Sequence, residues 1–138
     1  MNKQQFKNKT VLITGAVQGI GFECAKKFQS FGSKVIVTCK SQASYDFFEK
    51  NSLKENIQLE KLDLTNEISI DILHQKIDKL DILINNATLL KGGIEYRIEN
   101  FSDVVNVNLM GLMRICHTFL PKLACLLYTS PSPRDFTE

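Results

Sequence analysis

Thr14-Gly15-Ala16-Val17-Gln18-Gly19-Ile20-Gly21 is the stretch on which the fold turns. It follows the β-branched run Val11-Leu12-Ile13 directly and opens a helical pattern. In that pattern Ile20, Cys24, Phe28 and Phe31 fall at i, i+4, i+8 and i+11, with Gly32 placed to end the helix. Glycines at 15, 19 and 21 let the backbone turn tightly and approach a ligand with no Cβ in the way. Unpaired N–H groups at a helix start, together with the helix dipole, favour a pyrophosphate there. Glycines also serve ordinary turns, so the signal lies in their placement between strand and helix.

Working outward, Val35-Ile36-Val37 and Ile82-Leu83-Ile84 are apolar runs suited to buried parallel strands. Ile57 to Leu62 alternates apolar and polar, as a half-exposed strand does. Between the strands lie a helix candidate at Tyr45 to Lys50 and a clear stripe of Ile70, Leu73, Ile77 and Leu80. A long helix is predicted from about Ser102 to Leu120, with Val105, Leu109, Leu112, Cys116 and Phe119 on one face and Pro121 stopping it. The alternating order reads as an α/β fold with a parallel sheet and right-handed crossovers.

Length and composition narrow the function classes. At 138 residues the chain suits one domain or part of one, and 43% hydrophobic content supplies a core. Seventeen basic against fifteen acidic residues leave a net charge of +2, evenly spread, which argues against a nucleic-acid partner. No apolar run approaches the ~20 residues of a membrane helix. Met1 to Thr10 is polar, and only Val11 to Ile13 follow it, short of the roughly 7–15 apolar residues of a secretory leader. A cytoplasmic location and no membrane partner are expected. Cys24, Cys39, Cys116 and Cys125 form no C-x-x-C pair, and His74 and His117 have no ligand companion at i+3 or i+4, so no metal is expected.

The glycine octapeptide resembles the T-G-x-x-x-G-x-G signature of the short-chain dehydrogenase/reductase family. Asp63-Leu64-Thr65 is similar to that family's D-[LV]-[TS] element, Asn85-Asn86-Ala87-Thr88 to its N-N-A-G with threonine for glycine, and Asn106-Val107-Asn108 to its x-V-N motif. The resemblance covers roughly Lys9 to Leu123. It implies a Rossmann-type doubly wound parallel sheet, incomplete, with strands in the order 3-2-1-4 and later strands missing. It implies a dinucleotide held by Gly15, Gly19, Ile20, Gly21, Asp63, Leu64, Asn86 and Ala87. Asp63 and the Leu64 backbone would meet the adenine, and Asn85 would bond backbone near the glycine loop. Asn108 would take the catalytic role of holding a water on the proton path. Other readings stand beside these: Asp63 as a helix cap or turn aspartate, Asn85 and Asn86 as strand terminators, Asn108 as an ordinary helix residue.

Cofactor choice is read after the second strand. An acid there would bond the ribose 2′-OH of NAD, but this chain has Cys39-Lys40-Ser41. Lys40 can neutralise a 2′-phosphate and Ser41 can donate to it, so NADP is expected ahead of NAD. Gln18, where many NADP-using relatives carry a basic residue, speaks against it, and a solvated surface lysine is the plain alternative for Lys40.

Family members move hydride between nicotinamide and a carbonyl or alcohol carbon, using a serine and a Tyr-x-x-x-Lys pair. Here Tyr45, Tyr96 and Tyr128 are followed four residues on by Glu49, Asn100 and Ser132. The expected function is therefore an NADP-dependent oxidoreductase of this type for a longer parent, homo-oligomeric through its long helix and acting on a small carbonyl or alcohol substrate. The chain as given is expected to be inactive, a stripe of its long helix left uncovered. A catalytically empty nucleotide-binding protein and an artefactual fragment are the alternatives.

Residues 125–135, Cys-Leu-Leu-Tyr-Thr-Ser-Pro-Ser-Pro-Arg-Asp, resemble the frame translation of a transposase-type sequencing adapter. A Ser/Pro tail is the other reading. The first divides the chain into residues 1–124, the N-terminal part of a dinucleotide-binding domain, and a non-native tail at 125–138. The segment Leu89 to Tyr96, with Gly92 and Gly93, reads as a mobile loop beside the site.

Overall fold

Alternate strand residues part to opposite faces of a four-stranded parallel sheet, and each face is covered by helices. The computed structural model describes residues 2–51 and 56–124. Its strands are β1 (Thr10–Ile13), β2 (Lys34–Cys39), β3 (Ile57–Lys61) and β4 (Ile82–Ile84), in the order β3-β2-β1-β4. Leu12 pairs with Ile36 on one side and Leu83 on the other, and Val37 with Leu59. The expected strand order and α/β class are thus what the chain adopts.

Helices α1 (Gly19–Ser30) and α2 (Gln42–Asn51) cover one face, where Val11, Ile13, Val35, Val37, Ile57 and Leu59 pack with Ala25 and Phe48. On the other face lie α3 (Glu67–Lys76), α4 (Ile98–Val105) and α5 (Leu112–Ala124). There Leu12 and Ile36 pack with Ile70, Leu73, Ile115 and Phe119. Each such fully buried side chain contributes about 1.5–3 kcal/mol relative to exposure. The tail at 125–138 lies outside the described residues, so the adapter reading and the domain division are not addressed by the fold.

Two helical expectations are corrected. Ile20 is 81% exposed rather than part of the buried stripe of α1, whose buried residues are Gly21 and Ala25. Ile20 sits in the first turn, beyond the end of the sheet, so it projects over open space. The long helix begins at Ile98, and between α4 and α5 it widens into a π turn, Asn106–Gly111. Its buried residues are Gly111, Ile115 and Phe119, while Leu109 and Leu112 face outward. The helix is apolar on both faces, so its hydrophobic pattern alone did not mark the inner one. Pro121 does not stop the helix but lies within its last turn, where its missing N–H costs one i→i−4 bond.

The stripe on α3 is buried as expected at Ile70, Leu73, Ile77 and Leu80, although the helix ends at Lys76. Lys122 of α5 closes that end, its ammonium donating to the carbonyls of His74 and Ile77. Among the described residues no helix is long and apolar enough to cross a membrane.

Candidate functional site

All four strands point the same way, so their C-terminal ends deliver four loops to one edge of the sheet. These loops enclose a cleft of about 450 Å³. Its floor is the glycine loop. Gly15 has φ +61°, and a Cβ there would come within 2.8 Å of the Ala87 Cα, so only glycine allows the loop and the end of β4 to meet. Gly19 has φ +63° with open space where a Cβ would stand.

Thr14 and Thr38 hold the loop in place. The Thr38 hydroxyl accepts from the Gly15 N–H at 3.1 Å, and the Thr38 carbonyl accepts from the Ala16 N–H at 3.1 Å. The buried Thr14 hydroxyl accepts from the N–H groups of Asn86 and Ala87 at 3.1 and 3.0 Å. Neither threonine was singled out from sequence. A buried threonine at the end of an otherwise aliphatic strand was the available signal.

The bond to the glycine-loop backbone expected of Asn85 is made by Asn86. The Asn86 Nδ2 donates to the carbonyls of Thr14 and Gly15, each at 3.0 Å, whereas the Asn85 Nδ2 reaches the Cys116 sulfur at 3.3 Å. Strand alternation explains the exchange. Ile82 and Ile84 pack toward α1 and α2, so Asn86 follows them to the loop, while Leu83 and Asn85 face α5.

The first turn of α1 has no side-chain cap from Gln18. By contrast, the Ser41 hydroxyl accepts from the Ser44 N–H at the start of α2, and the Asn66 Oδ1 accepts from the N–H groups of Ile68 and Ser69 at the start of α3. The α1 amides are left for a ligand, and they open onto the cleft beside Gln18, Ile20 and Gly21. Gly19 lies just outside the cleft.

At the β2–β3 side the cleft is bounded by Thr38, Cys39, Lys40, Leu62, Asp63 and Leu64. The Lys40 ammonium is 3.9 Å from the Asp63 Oδ2, and its side chain is 68% exposed. Ser41 does not line the cleft, its hydroxyl being engaged as the cap of α2. Asp63 forms a turn, its Oδ1 accepting from the Thr65 N–H (2.9 Å) and hydroxyl (2.7 Å). Burial pushes the Asp63 carboxyl up, but the Thr65 bonds and Lys40 outweigh it and hold the carboxyl below its ordinary value. Asp63 thus combines the turn role with a place on the cleft. Burial pushes the Cys39 thiol up, against the pull of Lys61.

The opposite wall is Ala87, Thr88, Leu89 and, from the π turn, Val107. Asn108 clasps this wall. Its Oδ1 accepts from the Leu89 N–H (2.7 Å) and the Thr88 hydroxyl (3.2 Å), and its Nδ2 donates to the Leu89 carbonyl (3.0 Å). The π turn that aims Asn108 was not foreseen, and π turns recur at functional sites. The glycine pair beyond, Gly92 and Gly93 at φ +67° and +89°, is closed by the Glu95 carboxylate accepting from the Lys91 N–H at 2.7 Å. That bond leads a set of backbone bonds holding the Glu95 carboxyl below its ordinary value. Among the described residues no group of three His, Cys, Asp or Glu is placed to hold a metal.

Of the ten residues expected at the nucleotide, Gly15, Ile20, Gly21, Lys40, Asp63, Leu64, Asn86 and Ala87 line this one cleft. The glycine cradle, the uncapped helix start and the single cation beside an apolar slot fit a dinucleotide phosphate in chemistry.

Comparison with known proteins agrees with this geometry. The short chain dehydrogenase family matches residues 9–127. The 3-oxoacyl-(acyl-carrier-protein) reductase of Rickettsia typhi is 36% identical over 106 residues, covering 75% of this chain and 44% of that protein. Dehydrogenase/reductase SDR family member 6 of Rattus norvegicus is 30% identical over 121 residues, covering 86% and 48%. The crystal structure of a short chain dehydrogenase from Shigella flexneri superposes with a TM-score of 0.71 at 25% identity, over 89% of this chain and 53% of that one. The chain spans about half the length of the curated relatives it matches.

Proposed function

This chain belongs to the short chain dehydrogenase family, and from that premise we propose that it forms the dinucleotide-binding part of an oxidoreductase preferring NADP(H), acting on a small carbonyl or alcohol compound. The observation that carries the reading is the start of α1, uncapped where α2 and α3 are capped, facing the cleft beside Gly15 and Gly21. The cofactor, when bound, supplies the hydride.

The chain's own residues bind and orient. Backbone N–H groups of the α1 start would meet the pyrophosphate, with open space left beside Gly19. Lys40, at the cleft margin in only a long, exposed ion pair with Asp63, turns to a 2′-phosphate at little cost. Ser41 supports this less directly, because its hydroxyl already donates to the Ser44 Oγ. Ile20, exposed over the cleft, excludes water from one side of the bound cofactor. Asn108 holds the Thr88–Leu89 wall in place. No Tyr-x-x-x-Lys occurs in the chain, so none of its residues is assigned the proton transfer.

Titration of the purified full chain with NADPH, followed by nucleotide fluorescence and thermal shift, tests the reading. Saturable binding tighter for NADPH than for NADH is expected. No thermal shift at millimolar nucleotide overturns it, since any ligand of the native state must raise its stability.

A further inference from the structure

Arg114 lies on α5 outside the cleft, and no step above uses it. Its guanidinium nevertheless joins two of the cleft's walls. Nη1 donates to the Leu64 carbonyl (3.1 Å) and the Asn106 carbonyl (3.2 Å), and Nη2 donates to the Asn106 Oδ1 (2.9 Å). Leu64 lines the cleft just after β3. Asn106 begins the π turn, which presents Val107 to the cleft and carries Asn108, the clasp on Leu89 after β4.

The topology makes this bridge matter. β3 and β4 occupy opposite edges of the sheet, so within the sheet they are connected through β2 and β1. Above it, Arg114 and Asn108 complete a direct path from Leu64 through the π turn to Leu89. Gly111 brings the two sides close enough, since a Cβ there would lie 2.7 Å from the Leu64 Cβ. The planar fork meets the Leu64 and Asn106 acceptors together from two nitrogens.

We propose that Arg114 is a positioning residue of the nucleotide site. It fixes the separation between Leu64 and Leu89, and so the affinity for a whole dinucleotide more than for its adenosine half. The proposal rests on the dinucleotide reading given above. The two halves respond differently because Lys40 and Asp63 sit on strand ends already held by the sheet, whereas Thr88, Leu89 and Val107 depend on the π turn.

The test uses the full chain, its Arg114→Met and Asn106→Ala variants, and two probes, NADPH and adenosine 2′,5′-bisphosphate. Affinities are measured by titration well below each protein's Tm. Arg114→Met is expected to weaken NADPH about tenfold, the effect of losing a charge-assisted bond, and the bisphosphate less than about twofold. Asn106→Ala, which spares the bond to Leu64, falls between wild type and Arg114→Met for NADPH; it decides the matter if Arg114→Met does not fold. A role confined to stability lowers Tm and leaves both affinities unchanged, and that result overturns the proposal. Equal losses for the two probes overturn it too. Wild type that binds neither probe overturns the dinucleotide reading and the proposal with it, whereas wild-type binding matched by both variants overturns the proposal alone.

Discussion

Gly21 and Asn86 compete for one space. A Cβ on Gly21 would lie 2.9 Å from the Asn86 Cγ and 3.0 Å from the Ala16 Cα, so the glycine of α1 exists to admit the amide from the end of β4. Gly21→Ala gains about 0.5–1 kcal/mol of helix propensity but meets an overpacking cost of about 1–3 kcal/mol. It also disturbs the Asn86 bonds to Thr14 and Gly15. Net destabilisation of about 2 kcal/mol is expected in urea unfolding. The same substitution in an Asn86→Ala background should cost less, and equal costs in both backgrounds would remove the coupling.

Lys40 is the test of cofactor preference. Lys40→Glu places a carboxylate where the 2′-phosphate is proposed to sit and beside Asp63. NADPH affinity should fall by tenfold or more, on the order of a lost charge-assisted bond, while NADH affinity holds or rises, since an acid there can accept from the ribose 2′-OH. Parallel titrations check it, and an unchanged NADPH-to-NADH ratio would show Lys40 to be a plain surface lysine.

Asp63 gives a pH dependence of known sign. Its carboxyl is more acidic in the fold than in the unfolded chain. Such a group contributes stability that is fully present above its unfolded value and lost as pH falls through its folded value. The stability advantage of wild type over Asp63→Asn should therefore shrink on acidification below about pH 4 and be constant from about pH 5 to 7. Urea unfolding at several pH values measures it. Growth of the advantage toward acid would reverse the assignment.

The outer face of the long helix should drive self-association. Leu109 and Met113 are each 56% exposed and Leu120 is 60% exposed, three large apolar side chains on one helical run. Met113→Lys with Leu120→Lys should shift the chain toward monomer in sedimentation at matched concentration, with no loss of nucleotide affinity. Unchanged association would direct attention to the open edge of β4.

The sheet and the glycine loop were legible because short-range rules govern them: β-branched runs make strands, and glycines between strand and helix make a phosphate loop. Most of the cleft followed, since strand ends determine which residues meet. Four features were hidden. The exchange between Asn85 and Asn86 needed the facing of β4, fixed by its pairing with β1. The engagement of Ser41 as a cap needed the true start of α2, three residues ahead of the expected one. The π turn left no mark in hydrophobic spacing, because both faces of that helix are apolar, and Arg114 was silent because its link to the cleft is a backbone carbonyl, that of Leu64, 50 residues away.

The parallel strands have a kinetic consequence. The bond from Gly15 to Thr38 spans 23 residues and that from Asn86 to Thr14 spans 72. Contacts of such long range form only after the intervening chain has lost its loop entropy. The glycine loop precedes β4 in the chain, and the bonds it receives from Asn86 form only when β4 docks beside β1. The wall at Ala87, Thr88 and Leu89 follows β4 in the chain, so a nucleotide meets its whole site only once the sheet has closed.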